Sequence, residues 1–270
     1  MSFFKRSKNR IAVVKVEGII ADNDAISASR AKVIASLKAA TSKHARAIVL
    51  RINSPGGSVA ACQEIYSWLI RLKEQGIPVV ASMGDIAASG GVYISMAATE
   101  VIANPGTVTG SIGVIIRSSD LSHLYDKVGI SPKVVKSGPH KDMLATYRAF
   151  SKDEESLLQS VIDDTHRQFV ESVASARNKP QSEIEQIADG RIMTGRQALE
   201  AGLVDSLGDL DHAIQRAATL AGIVGKPQLF FVQSRKALWQ KMLGPFGFFA
   251  QRAEIGGSLS GIPLWILPTL

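Results

Sequence analysis

Apolar runs and helical stripes alternate along the first hundred residues. Residues 10–18 carry Ile11-Ala12-Val13-Val14, a continuous apolar run of the kind a strand covered on both faces shows. From Ser27 to Ala40 the apolar positions Ala31, Val33, Ile34 and Leu37 fall at helical spacing. Residues 45–52 are rich in β-branched side chains and read as a second strand. A helix is predicted from about Val59 to Gln75, and Ile77–Met83 reads as a third, buried strand. Helical character returns over Val92–Ala98. Strand and helix in alternation at this spacing argue for a parallel sheet with crossover helices, an α/β fold.

The pattern continues with a fourth strand at Glu100–Ala103 and a Gly/Thr-rich loop, 104–113, that leads into Val114–Arg117. A short helix is expected at Leu121–Val128, a short strand at Ser131–Lys136 and a turn at 137–142. Ser151 followed by Glu154 forms a capping box that opens a long amphipathic helix reaching about Arg177. Further helices are predicted at Ser182–Ala188, Gly195–Ala201 (capped by Thr194) and Leu210–Ala221, with a turn or short strand at 190–195. Residues 239–270 break the pattern. They are apolar and hold Trp and Phe among Gly and Pro, without clean periodicity. Packing on the chain's own core or on a neighbouring subunit is the plain reading of such a tail. Contact with a membrane surface, shared with Phe3 and Phe4, is the sharper one.

Composition narrows the classes. Among 270 residues, 46% are hydrophobic and 20% charged, an ordinary globular mixture. The net charge of +7 comes from scattered basic residues with no interleaved aromatic motif, which argues against nucleic acid as a partner. One cysteine, Cys62, excludes a disulfide framework and a cysteine-built zinc site, and it reads as a small core hydrophobe. No His/Asp/Glu cluster shows metal-ligand spacing. No apolar stretch reaches the length of a membrane span, and the run after the basic N-terminus is cut by Lys15 and Glu17, too short for a secretory signal. The expectation is a cytoplasmic or peripherally membrane-attached protein.

Chemistry concentrates where the third strand gives way to a helix, at Gly84-Asp85-Ile86-Ala87-Ala88-Ser89-Gly90-Gly91-Val92-Tyr93. Small residues on both sides leave the Ser89 hydroxyl uncovered and let a substrate backbone approach. A helix N-terminus beside it supplies N–H groups for a developing oxyanion. The plain alternative is a serine N-cap. Asn53-Ser54-Pro55-Gly56-Gly57-Ser58 lies at the C-terminal end of the second strand, where open α/β sheets bind ligands. An N–H of Gly56 or Gly57, together with that of Gly90, would make a two-donor oxyanion hole; Pro-Gly-Gly also describes a simple turn.

Residues 51–59 and 84–94 together resemble the signal peptide peptidase A (protease IV) family of serine peptidases. Lys136-Ser137-Gly138-Pro139-His140-Lys141-Asp142 and the stretch 190–205 are similar to it as well, so the likeness runs in order from about Ile11 to Ala221. It implies a Clp-protease/crotonase-like α/β fold with a helical C-terminal extension. It divides the chain into a basic tail (1–9), a peptidase domain (10–225, its helical extension at about 151–222) and an apolar tail (226–270). It implies an endopeptidase with no cofactor, acting on apolar peptides such as cleaved signal peptides and assembled as a ring-like homo-oligomer. It places the nucleophile on Ser89, the general base on Lys141, and the oxyanion donors on Gly57 (or Gly56) and Gly90.

An ammonium in water cannot accept a proton at neutral pH, so this chemistry requires Lys141 to be desolvated beside Ser89, with Ser111 available to orient it. Lys136 competes for the role from a similar turn, and Asp142 departs from the small or hydroxyl residue often found next to the family's lysine. Of the histidines His44, His123, His140, His166 and His212, only His140 adjoins the lysine, and the resemblance gives none of them the base position. Asp85 reads as a turn or subunit contact rather than a third catalytic member. Two other classes stay open. An acyl-CoA hydratase or isomerase of the same fold would use the glycine hole without Ser89. A non-catalytic membrane-associated scaffold would use neither.

Overall fold

The computed structural model describes residues 9–22, 28–232 and 263–266. The elements in chain order are β1 (Arg10–Glu17), β2 (Ile20–Ala21), β3 (Ala28–Ser29), α1 (Arg30–Ser42), β4 (Ala47–Ser54), β5 (Gly56–Ser58), α2 (Val59–Glu74), β6 (Val79–Ala88), α3 (Gly90–Ser95), β7 (Glu100–Ala103) and β8 (Val108–Gly110). They continue as α4 (Ser122–Lys127), α5 (Lys152–Arg177), α6 (Gln181–Glu185), β9 (Ile192–Thr194), α7 (Gly195–Glu200), β10 (Ser206–Leu207), α8 (Leu210–Leu220), β11 (Gln228–Val232) and β12 (Leu264–Ile266).

The main sheet runs β10-β7-β6-β4-β1-β11, with every neighbouring pair parallel. Helices cover both faces, and β1 shows why its sequence is apolar throughout. Ala12, Val14 and Val16 pack with Val33 and Leu37 of α1 and Ile65, Leu69 and Leu72 of α2. Ile11 and Val13 point the other way, onto Ala213, Ile214 and Ala217 of α8. This is the parallel α/β sheet with crossover helices that the alternation predicts. The capping boxes of Ser151/Glu154 and Thr194/Gln197 both form and set the starts of α5 and α7.

Two local expectations are corrected. Residues 131–136 form no strand: none of the described residues pairs with them as a neighbouring strand, and Val135 stands fully exposed. The third strand is longer than its apolar run, because β6 continues through Gly84-Asp85 to Ala88. Beyond the sheet it leaves β7 and pairs instead with β8, matching Ala88 to Gly110. Asn53 holds this kink; its Oδ1 accepts from Ile86 N (3.1 Å) and its Nδ2 donates to Asp85 Oδ2 (3.3 Å). Past residue 225, β11 adds an edge strand to the main sheet and β12 joins the small sheet β12-β5-β2-β3. Residues 233–262 and 267–270 of the apolar tail, and Phe3 and Phe4, lie outside the described residues. Among the described residues no helix is long and apolar enough to cross a membrane.

Candidate active site

The kinked end of β6 delivers Ser89 to the first turn of α3. Ser89 N donates to Gly110 O at 2.8 Å and Tyr93 N donates to Ser89 O at 3.0 Å, so the residue is held from both sides. Its backbone takes φ 51° and ψ −112°, a conformation costly for a residue with a Cβ. Its side chain is fully buried and makes no capping bond; Oγ has no hydrogen-bond partner among the described residues. An N-cap serine would bond the helix backbone. The Ser89 side chain is therefore not a helix cap, and its hydroxyl is uncommitted among the described residues. The Ala88–Gly110 pairing puts Ser111, itself at φ 53° and buried, in the position alongside Ser89. Ser111 N is fixed to Arg191 O at 2.7 Å.

The glycines converge on the same point. Ser54 Oγ accepts from Gly56 N at 3.1 Å, so that N–H is already used. Val59 N donates to Pro263 O at 3.4 Å, and alternation along the strand turns the Gly57 N–H to the same edge, toward Trp265 opposite it. Gly56 sits at φ +104°, and a Cβ there would overlap the Trp265 carbonyl oxygen. A Cβ on Gly90 would stand 3.0 Å from that oxygen and 2.6 Å from Cys62 Sγ. The backbone of Gly56, Gly57 and Gly90 therefore surrounds one carbonyl oxygen beside Ser89. Cys62 lies beneath, and burial pushes its thiol up, away from the reactive thiolate.

Next to this point lies an aromatic cluster that the sequence pattern does not reveal. The Trp265 ring packs on Tyr93 of α3 and Phe169 of α5, with centroids 4.1 Å and 4.7 Å away, and Tyr66 of α2 packs on Tyr93 at 5.0 Å. Burial pushes the Tyr93 phenol up, against a hydrogen bond from Ser172 Oγ (3.4 Å). An abundance of tryptophan in the tail was the signal available. Which wall it meets is a matter of pairing across two hundred residues.

Lys141, the predicted base, is exposed in the turn at 138–144, and among the described residues no nitrogen reaches Ser89 Oγ within hydrogen-bond distance. The competitor Lys136 is tied to Asp142 at 2.7 Å. Asp142 also accepts from Arg148 Nη2 (2.6 Å) and Tyr147 OH (2.6 Å), and Arg148 reaches Glu154 Oε1 (2.6 Å). Bonds from Arg148 first, then Lys136 and Tyr147, hold the Asp142 carboxyl well below the usual range. That carboxylate is thus committed to partners other than Lys141. The histidines are scattered. His44, His123 and His140 are exposed, His166 Nε2 contacts Ala188 O at 2.8 Å, and His212 lies in α8. Asp85 is exposed and bonded to Asn53.

Comparison with known proteins bears on this geometry. The model of peptidase family S49 matches residues 71–224, and that of the NfeD1b N-terminal domain matches residues 16–123. The Synechocystis chain slr0021, named as a protease, is 45% identical over 97% of this chain and 98% of its own length. Protease 4 of Salmonella typhi is 42% identical over 65% of this chain, which spans only 28% of that longer protein. Among solved structures, an S97A mutant of the 1510-N membrane-bound stomatin-specific protease superposes with a TM-score of 0.54. It is 16% identical and covers 84% of this chain and 99% of its own, a likeness of fold.

Proposed function

Because this chain belongs to peptidase family S49, the signal peptide peptidase A family of serine proteases with a Clp-protease-like fold, we propose that it hydrolyses apolar peptides with a Ser89–Lys141 dyad. The observation that carries the reading is the unpartnered Ser89 hydroxyl on a strained backbone, next to a carbonyl oxygen ringed by glycine backbone. Ser89 Oγ attacks the scissile carbonyl carbon. Lys141, as the neutral amine, takes the hydroxyl proton and returns it to the leaving amine. The N–H groups of Gly57 and Gly90 hold the oxyanion, and water then hydrolyses the acyl-enzyme. Ser111 is placed to orient the amine.

The dyad closes when copies of the chain assemble. Lys141 rides on residues 117–150, which carry little regular structure and expose Leu124, Val128, Ile130, Val134 and Val135. A row of exposed apolar side chains flanking a needed base fits a surface that a second copy covers. The same covering would strip water from the lysine and favour its neutral form. A peripheral membrane contact would bring such an assembly to apolar peptides leaving a bilayer.

Hydrolysis of a fluorogenic apolar peptide tests the reading. Wild type should be active, Ser89→Ala and Lys141→Ala silent, and a serine-directed phosphonate should label Ser89 only. Peptide hydrolysis by Ser89→Ala at the wild-type rate would overturn it.

A further inference from the structure

We infer that Asn53, Thr107 and Thr109 are positioning residues: their side chains hold a bulge in β6 that aims the Ser89 hydroxyl and keeps its backbone in the strained turn. The effect on turnover rests on the peptidase reading; the hold on the backbone stands apart from it.

The bulge is visible in the register. Ile52 pairs with Met83, yet Ser54 pairs with Ala87, so two steps along β4 face four along β6. On its other side β6 leaves β7 after Met83, opposite Ala103, and meets β8 at Ile86, opposite Val108. Side chains meet the backbone in between. Met83 O accepts from Asn104 Nδ2 (3.2 Å), and Gly84 O accepts from Thr107 Oγ1 (2.7 Å). Ile86 N donates to Asn53 Oδ1 (3.1 Å), and Ala87 O accepts from Thr109 Oγ1 (2.7 Å). Thr107 Oγ1 also accepts from Asn104 N at 3.1 Å, which fixes its direction. Gly84 leaves room for this bracket: a Cβ there would stand 3.3 Å from both Cβ and Cγ of Asn53.

Thr107 and Thr109 are each 1% exposed, so the carbonyls they serve would lose a buried donor without them. A regular strand needs no such props. Here they hold two extra residues just before the nucleophile, where a bulge re-aims the side chain that follows it. Thr109 bonds Ala87, two residues before Ser89, and the next residue of β8, Gly110, accepts from Ser89 N at 2.8 Å. A backbone at φ 51° persists only where its surroundings over-determine it. Loosening the bracket lets the turn relax and moves the hydroxyl off its line of attack. A misplacement of about 1 Å costs about a hundredfold in rate.

The test is made on the full chain. Thr109→Val keeps the shape and removes the donor, whereas Thr109→Ser keeps the donor. On the fluorogenic apolar peptide, Thr109→Val should lose about ten- to a hundredfold in kcat with KM within about twofold, and Thr109→Ser should stay within about threefold of wild type. The rate at which a serine-directed phosphonate labels Ser89 should follow kcat. A lower melting temperature with kcat unchanged, or an equal kcat loss in Thr109→Ser, would reduce the threonine to packing and overturn the proposal. Should Thr109→Val fail to fold, Thr107→Val beside Thr107→Ser is read by the same criteria. If wild type hydrolyses nothing, the peptidase reading falls and melting temperatures decide the proposal. Ser89→Gly should raise the melting temperature of wild type, and by less than about half as much beside Thr109→Val, because a loosened turn holds less strain. An equal gain in both backgrounds would overturn the proposal, and so would no gain in wild type.

Discussion

The two halves of the proposed dyad are built in opposite ways. Ser89 is buried and fixed through its own backbone, between the last strand pairing of β6 and the first turn of α3. Lys141 sits on an exposed arm whose order comes chiefly from one polar knot, Lys136–Asp142–Arg148–Glu154. Residues on the nucleophile side have their contacts inside the chain, whereas residues on the arm present apolar side chains outward. On the proposed reading, the difference teaches that a single copy would supply a finished nucleophile and an unfinished base. Folding alone would then preorganise the oxyanion hole, and assembly would control when the hydroxyl is activated.

The sharpest break of this comparison is at Ser89. Replacing it should lower turnover by about 10³-fold or more. Ser89→Gly should also raise the melting temperature by about 2–4 °C, since glycine relieves the strain at φ 51°. An unchanged or lower melting point would show that the backbone is not strained. Next comes Gly90→Ala, whose Cβ would meet Cys62 Sγ. Displacing that N–H should cost about 10²–10³-fold in kcat. The double variant Gly90→Ala/Cys62→Ala should recover part of the loss, read from steady-state kinetics. On the arm, Val135→Asp should leave the melting temperature unchanged, lower the mass seen in sedimentation and reduce kcat in proportion.

The smallest expected effect is the pH response of the knot. Bonds from Arg148, followed by the Ser151 backbone, push Glu154 down to about 2, and Asp142 is depressed as well. Carboxyls depressed in the folded state stabilise above their ordinary values near 4 and lose that contribution as pH falls toward their folded values. Limited acid proteolysis should therefore begin to open residues 136–150 between about pH 4 and pH 2. Arg148→Met should open the same segment at neutral pH, with the main sheet intact.

Much of the nucleophile side is legible in the sequence because it is local. A strand, a run of small residues and a helix within fifteen positions specify the Ser89 turn, and the Pro-Gly-Gly turn follows β4 directly. The φ of Ser89 is not legible, because it is imposed by the β8 pairing. The use of Gly56 N by Ser54 Oγ follows from a turn geometry that composition does not encode. At 131–136, the adjacent β-branched pair Val134-Val135 suggests a strand, but a strand needs a neighbour, and Val135 meets solvent instead. Trp265 shows the same limit from the other side. Its place against Tyr93 and Phe169 depends on pairing with Gly57, about two hundred residues earlier.

The most direct test of the two-copy dyad is complementation. Ser89→Ala and Lys141→Ala, each silent alone, are mixed in equal amounts, dissociated, reassembled and assayed on the fluorogenic peptide. If Lys141 of one copy serves Ser89 of the next, activity should return to about a quarter of wild type, the fraction of junctions that join an intact serine to an intact lysine. A mixture as silent as its components, with mixed oligomers verified by mass, would contradict the account.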